Sequence, residues 1–369
     1  MGAVELEWKK FEQQAILSPY QKWDVIHAWL ETVGLPKGAE LVLISIRLGD
    51  ELVALLPFML STNCGLRVLS WFNDPHLNYQ GGLWSRQFLI TVDDDEMEQV
   101  WNCVKSTIPK FDYMALTQQL LETAGLKSAF SLLNKLPSPN VSHQLILHHH
   151  DYDQLLLDTR SKSTRKRYRN IDSRLQKIGQ LDFRIIKDDS ETTHFIHELF
   201  EQRKQRFDEL GISTEENQQA YEEFYQKLVE VDNDISAYVS ILALDGEPLS
   251  IGFILEHNGE AHALLSSMTT TPLCKHSPGE TLLRNEFRYH CENELTLVDF
   301  GVGSAPYKKA WCNNQLELFD CYQANSVVGH LAIVLLRIKS QAKSRIKNSQ
   351  RIWKVFQKVR TFLGKIGEL

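Results

Sequence analysis

Three residues in the last third of the chain, Asp299, Tyr307 and Lys308, are of types that move protons or meet anions, and all lie close to the end of one apolar run, LTLVDFG. A carboxylate can take a proton from an attacking nucleophile, and a phenol can return one to a leaving group. Chemistry in α/β folds gathers where strands end, which is where this carboxylate stands. Upstream, TTTPLCKHSPGE leads from a strand ending near Met268 into a helix expected from about Gly279 to Cys291. Ser277, Pro278 and Gly279 form its first turn and Glu280 follows. Backbone N–H groups at the positive end of a helix suit a phosphate or pyrophosphate, and Lys275 and His276 just before the turn add positive charge. A plainer reading is open at the same positions: Pro-Gly caps a helix, Asp299 caps a turn, Tyr307 and Trp311 pack in the core, and Lys308 and Lys309 are solvated.

The elements that must carry these residues repeat. With Glu51 placed over Glu247, ELVLISIRLGDELVALLPFML and SAYVSILALDGEPLSIGFILE each read as strand, Gly/Asp turn, Glu and second strand. A helical stretch precedes each hairpin, PYQKWDVIHAWLETVG or QAYEEFYQKLVEV, and another strand follows each, GLRVLSW or AHALLSSM. The pattern predicts a duplicated α/β unit. Pro137 and Pro139 mark the junction, which gives a first unit over 1–145, a second over 146–330, and a basic amphipathic helix over 331–369. In that last stretch Ile352, Phe356, Val359, Leu363 and Ile366 recur every three or four residues, a stripe suited to an anionic membrane or to packing on protein.

Composition narrows the function. At 369 residues the chain is long enough for two domains. A formal charge of -7, with Lys and Arg crowded into 160–177 and 337–369, argues against DNA as a partner. The run RSKSTRKRYRNIDSRLQK is dense enough to meet phosphate, lipid headgroups or tRNA, although its plainer reading is a solvated helix face. Six cysteines with no CxxC spacing, and His148–His150 without partner ligands, point to no metal and no disulfide framework. A polar N-terminus and the lack of 18 consecutive apolar residues predict a cytoplasmic protein, peripheral to the inner membrane if the tail binds lipid.

Residues 160–311 resemble the GNAT-type acetyltransferase domain of the CelD-like branch, associated with bacterial cellulose and exopolysaccharide production and distantly similar to the Fem peptidyltransferases. The features that carry the resemblance are SKSTRKRYRNIDSRLQKIG, FEQRKQRFDELG, the strand pair around LDGEPLSIGF, then SPGETLL, VDFGVG and YKKAW, in that order. The resemblance implies an α/β fold of two GNAT-like mixed-sheet units in tandem, the first degenerate. It also implies that strands around 261–268 and 295–300 splay apart to admit the pantetheine arm of an acyl-CoA. In such an enzyme an acceptor amine or hydroxyl attacks the thioester directly. Tyr307 would then protonate the departing thiolate, Asp299 or Glu256 would act as base, and Ser277, Pro278, Gly279, Glu280 and Lys308 would hold the donor. The family's usual phosphate fingerprint is reduced here to Ser-Pro-Gly, so the donor stays open among acetyl-CoA, a longer acyl-CoA and an acyl carrier protein. The acceptor implied is a small molecule or glycan, a sugar or cell-envelope precursor. Two other readings stand beside it: a Fem-like transferase using aminoacyl-tRNA, and a non-catalytic scaffold or peripheral membrane protein that keeps the fold.

Overall fold

In a computed structural model of the chain, all residues are described except Met1, Asn73, Asn134, Asp188, residues 212–216, Asp232, Ser304 and residues 349–369. The stripe from Ile352 to Ile366 lies outside the described residues. The fold is mixed α/β, and the chain divides into two compact units. The first holds residues up to Ser142, Val302–Ser304 and the stretch starting at Gln315; the second holds His143–Gly301 and Ala305–Asn314. The chain thus re-enters the first unit twice, which contiguous blocks such as 1–145 and 146–330 have no means of expressing.

In the first unit, β1 (Glu40–Leu48), β2 (Glu51–Asn63) and β3 (Leu66–Ser70) form antiparallel pairs in chain order. A short strand β4 (Leu83–Ser85) also pairs with β2, and β5 (Tyr113–Leu120), which follows helix α1 (Asp94–Thr107), lies parallel to β3. The core is aromatic: Phe58, Trp71, Trp101 and Phe130 are all buried, and Phe58 stacks on Trp71 at 4.7 Å.

In the second unit a short helix over Tyr152–Thr159 precedes the basic helix α2 (Lys162–Gln176), which is followed by β6 (Leu181–Ile186), α3 (Asp189–Glu209) and α4 (Gln218–Val229). The repeated hairpin follows as β7 (Ile235–Leu244) and β8 (Glu247–His257). Asp245 and Gly246 both have positive φ, 51° and 89°, the requirement of the tight turn for which Asp-Gly is selected. Then come β9 (Glu260–Met268), α5 (Pro278–Glu292), β10 (Leu297–Val302) and the one-turn-and-a-half helix α6 (Pro306–Trp311). Tyr238, Ile254, Val298 and Phe300 of the sheet and Phe287 and Cys291 of α5 belong to one buried cluster. On another side of the sheet Tyr225 of α4 meets Phe253 edge-on at 4.6 Å.

Candidate active site

β9 and β10 run parallel but pair over three rungs only, Glu260↔Leu297, Ala261↔Val298 and His262↔Asp299. β9 continues to Met268, so beyond His262 its edge toward β10 carries no paired strand among the described residues. Unpaired strand edge exposes backbone N–H and C=O groups, which need partners. A register shift between Phe253 and Ile254 in the β8–β9 ladder bends the strand at the same level. The splay expected between these strands is therefore present.

At the start of α5, Ser277 is held in the left-handed region (φ 53°, ψ 52°) and Pro278 occupies the first helical position. The Ser277 carbonyl accepts from the N–H groups of Glu280 (3.0 Å) and Thr281 (3.3 Å). Gly279 has room: an added Cβ would meet only Met268 Sδ at 3.7 Å and Ser250 Oγ at 3.8 Å. Glu280, however, accepts from Trp311 Nε1 at 3.2 Å and is coupled to the Tyr168 hydroxyl. Its carboxylate links the α5 turn to α6, and a negative charge so engaged is no partner for a phosphate.

α6 brings the sequence-expected residues together unequally. Tyr307 packs edge-on against Phe300 (5.9 Å) and retains 36% of its surface, yet the protein around its hydroxyl pushes the phenol up to about 12, burial being the chief cause. It therefore stays protonated at neutral pH, as a proton donor must. Lys308 is not solvated: it is buried, and its ammonium donates to the carbonyls of Phe300 and, at 3.3 Å, Gly301. Burial lowers its pKa to about 8, opposed by the negative charge of Asp299. Lys308 thus braces the end of β10.

Asp299 is buried and already engaged, accepting from Gln144 Nε2 at 2.8 Å and from the Gly301 N–H at 2.6 Å. That is the turn-capping arrangement, and it occupies both oxygens of a carboxylate proposed as base. Glu256 stands in the row Ser236–Glu256–Ala261–Val298, one rung from Leu255–His262–Asp299, so its side chain leaves the sheet by the opposite face from Asp299. It also lies level with the closed end of the splay. The structure therefore does not join Glu256 to Asp299.

A different carboxylate lies level with the open part. Glu286 of α5 is 3% exposed, accepts a hydrogen bond from Ser240 Oγ, and sits over Gly252, where a Cβ would collide with both side chains. Gly252 pairs with Ser266, four residues beyond the last paired rung of β9 and β10. Burial pushes the Glu286 carboxyl up to about 7, with the Ser240 hydrogen bond opposing. One turn on, His290 is fully buried and pressed down to about 3 by burial; its Nε2 lies 3.0 Å from Tyr238 Oη and its Nδ1 has no hydrogen-bond partner. Glu286 also contributes to raising the Tyr307 pKa, so the two side chains feel each other. A sequence signal was available: Glu286 and His290, spaced i, i+4, share the apolar stripe of Leu282, Phe287 and Cys291.

No group of three or more His, Cys, Asp or Glu suited to a metal ion occurs among the described residues. The exposed face of α2 is cationic, with Lys162, Lys166, Arg167, Arg169, Arg174 and Lys177; its single acid, Asp172, is held by Arg284 in a two-pronged pair at 2.6 and 2.8 Å.

Residues 162–309 match the family described as acetyltransferase (GNAT) domain. This span runs from α2 to α6 and contains the splay, the α5 turn, Glu286 and Tyr307. It makes the chain an acyltransferase-like enzyme, and donors in that family are typically acyl-CoA. Among solved structures the chain is similar to FemX, with 13% identity and a TM-score of 0.56 over 86% of this chain and 95% of that one. It is similar also to the C-terminal domain of a putative lysylphosphatidylglycerol synthetase from Agrobacterium fabrum, with 11% identity and a TM-score of 0.51 over 93% and 96%. At these identities the likeness is one of fold. No curated protein matches the chain in sequence.

Proposed function

We propose that the chain transfers an acyl group from an acyl-CoA to an amine or hydroxyl of a sugar or cell-envelope precursor, as in the cellulose- and exopolysaccharide-associated branch it resembles. The supporting observation is the three-rung pairing of β9 and β10, which leaves a strand edge open between the α5 turn and Tyr307. A pantetheine arm presents amides that can complete such an edge, and its diphosphate suits the turn at Ser277–Gly279. In this reading Glu286 takes the proton of the attacking amine or hydroxyl and Tyr307 returns one to the departing thiolate. Lys308 and Asp299 are positioning residues that fix the end of β10, and the acyl-CoA supplies the thioester, whose C–S bond breaks as the acceptor's N–C or O–C bond forms and CoA leaves as the thiol.

A second donor, aminoacyl-tRNA, is favoured by the cationic face of α2 beside a turn whose Glu280 opposes diphosphate. Thermal shift decides among the readings, since a ligand at a hundred times its Kd adds about 2.7 kcal/mol. Stabilisation by CoA thioesters supports the first reading, by acyl carrier protein its carrier-bound variant, by aminoacylated tRNA the second, and by none of them a scaffold. Gly279→Glu, which finds room for its Cβ, is expected to fold and to abolish the CoA-dependent shift; an undiminished shift removes the turn from the donor site.

A further inference from the structure

After the second unit the chain forms α7 (Val327–Asn348), whose buried residue Ile333 packs with Val68 and Tyr113 of the first unit, joined by Ala332 and Leu336. That face is accounted for. Another is not: Val327 is 81% exposed, Val328 52%, Leu331 63%, Val334 52%, Leu335 67% and Ile338 58%. At about 100° per residue these six fall within an arc of roughly 120°, well away from the docked face. A continuous exposed stripe of large aliphatics on a folded surface marks an interaction site.

Charge identifies the partner. Arg337 and Lys339 are exposed and fall on either edge of the arc at the helical repeat. The sequence carries on with Lys343, Arg345 and Lys347, and from Val327 onward its only acid is Glu368, in a protein of net charge -7. An apolar stripe edged by cations and followed by more of them fits a surface that is apolar below and anionic above, which is the headgroup boundary of an anionic bilayer. A second copy of the chain would bring the same cations against themselves. No helix among the described residues is long and apolar enough to cross a membrane, so the contact is a lying-on.

We infer that the Val327–Ile338 face of α7 docks the protein on an anionic lipid surface. The test is sedimentation of the full chain with phosphatidylglycerol/phosphatidylcholine vesicles and with phosphatidylcholine alone. The expected result is pelleting with the anionic vesicles that weakens with salt, and a bound fraction lowered at least about tenfold by Leu331→Gln/Leu335→Gln, two positions already in water, with the melting temperature unchanged. Arg337→Gln/Lys339→Gln is expected to reduce binding to anionic vesicles and leave the neutral ones as they were. The inference is overturned by no pelleting at low salt, by binding that the Leu331/Leu335 variant leaves unchanged, or by a dimer that this variant disperses in a chain that ignores vesicles.

Discussion

The two hairpins superpose in register and differ in what they enclose. In both, the ladder slips at the same place: between Ile46 and Arg47 in the first, between Leu242 and Ala243 in the second, an offset of 196 residues in each case. After the slip Arg47↔Leu52 and Leu48↔Glu51 correspond to Ala243↔Pro248 and Leu244↔Glu247. A β-bulge retained at one position supports duplication of a single unit. Ser240 and Gly252, which cradle Glu286, correspond to Ile44 and Leu56, which are hydrocarbon. The strand ends differ as well. β3 stops at Ser70, its last rung with β5, whereas β9 runs six residues past its last rung with β10. Where Met268 and Ser267 pair with Ser250 and Ile251, the first unit places Trp84 and Leu83 of β4 against Ala54 and Leu55. One copy is closed with aromatic core and the other is held open around a buried carboxylate, so the two copies share a fold and differ in the groups they enclose.

The largest expected effect comes from removing that carboxylate. Glu286→Gln should lower turnover by about a hundred- to ten-thousandfold, the span for a lost general base, with donor binding kept. In the wild type, turnover should rise as pH passes through about 7 and the base loses its proton. The same group carries a stability cost. A carboxyl raised from 4.5 to about 7 binds its proton more tightly in the folded state, so stability falls as pH rises from about 4.5 to about 7 and stays lower above. The decline is at most on the order of 3 kcal/mol. The Gln variant should lack it, so melting temperatures of the two proteins, compared at pH 5 and pH 8, should diverge in the variant's favour at the higher pH. Equal pH slopes, or wild-type turnover, would take Glu286 out of the mechanism.

Next in size is Tyr307→Phe, expected to lower turnover tenfold to ten-thousandfold while leaving the donor-induced thermal shift intact. With the phenol near 12, its loss should add no step to the pH profile below pH 9. Unaltered turnover would reduce Tyr307 to a ring packed on Phe300.

The sequence made the hairpins legible because a tight turn writes its residues locally: Gly49 with Asp50 and Asp245 with Gly246, each set between alternating apolar strands. The splay and the turn at Ser277 were legible through the resemblance. What was not legible depends on contacts far apart in the chain. Lys308 reads as solvated until Phe300 and Gly301 close over it, and Glu286 reads as one more charge on a helix until Ser240 and Gly252, more than 30 residues away, supply its cradle. Asp299 reads as base or as turn cap until the long-range Gln144 contact and the local Gly301 bond show it engaged as a cap.

The smallest effects separate the two copies at matched positions. Gly252→Ala sets a Cβ into collision with Glu286 Oε1 and Ser240 Oγ, so the carboxylate must move out of its cradle. Overpacking of this kind costs about 1–3 kcal/mol, and turnover should drop with it because the displaced base loses both its hydrogen bond and its alignment. Leu56→Ala at the corresponding place opens a cavity in a side chain that is fully buried, at a cost of about 2–5 kcal/mol. Activity per folded molecule should nonetheless hold, since no proton moves there. The measurement is turnover normalised to folded protein for both variants, beside their denaturant midpoints. If Leu56→Ala reduces normalised turnover as much as Gly252→Ala does, the first unit takes part in catalysis and the division of labour drawn from the hairpins fails.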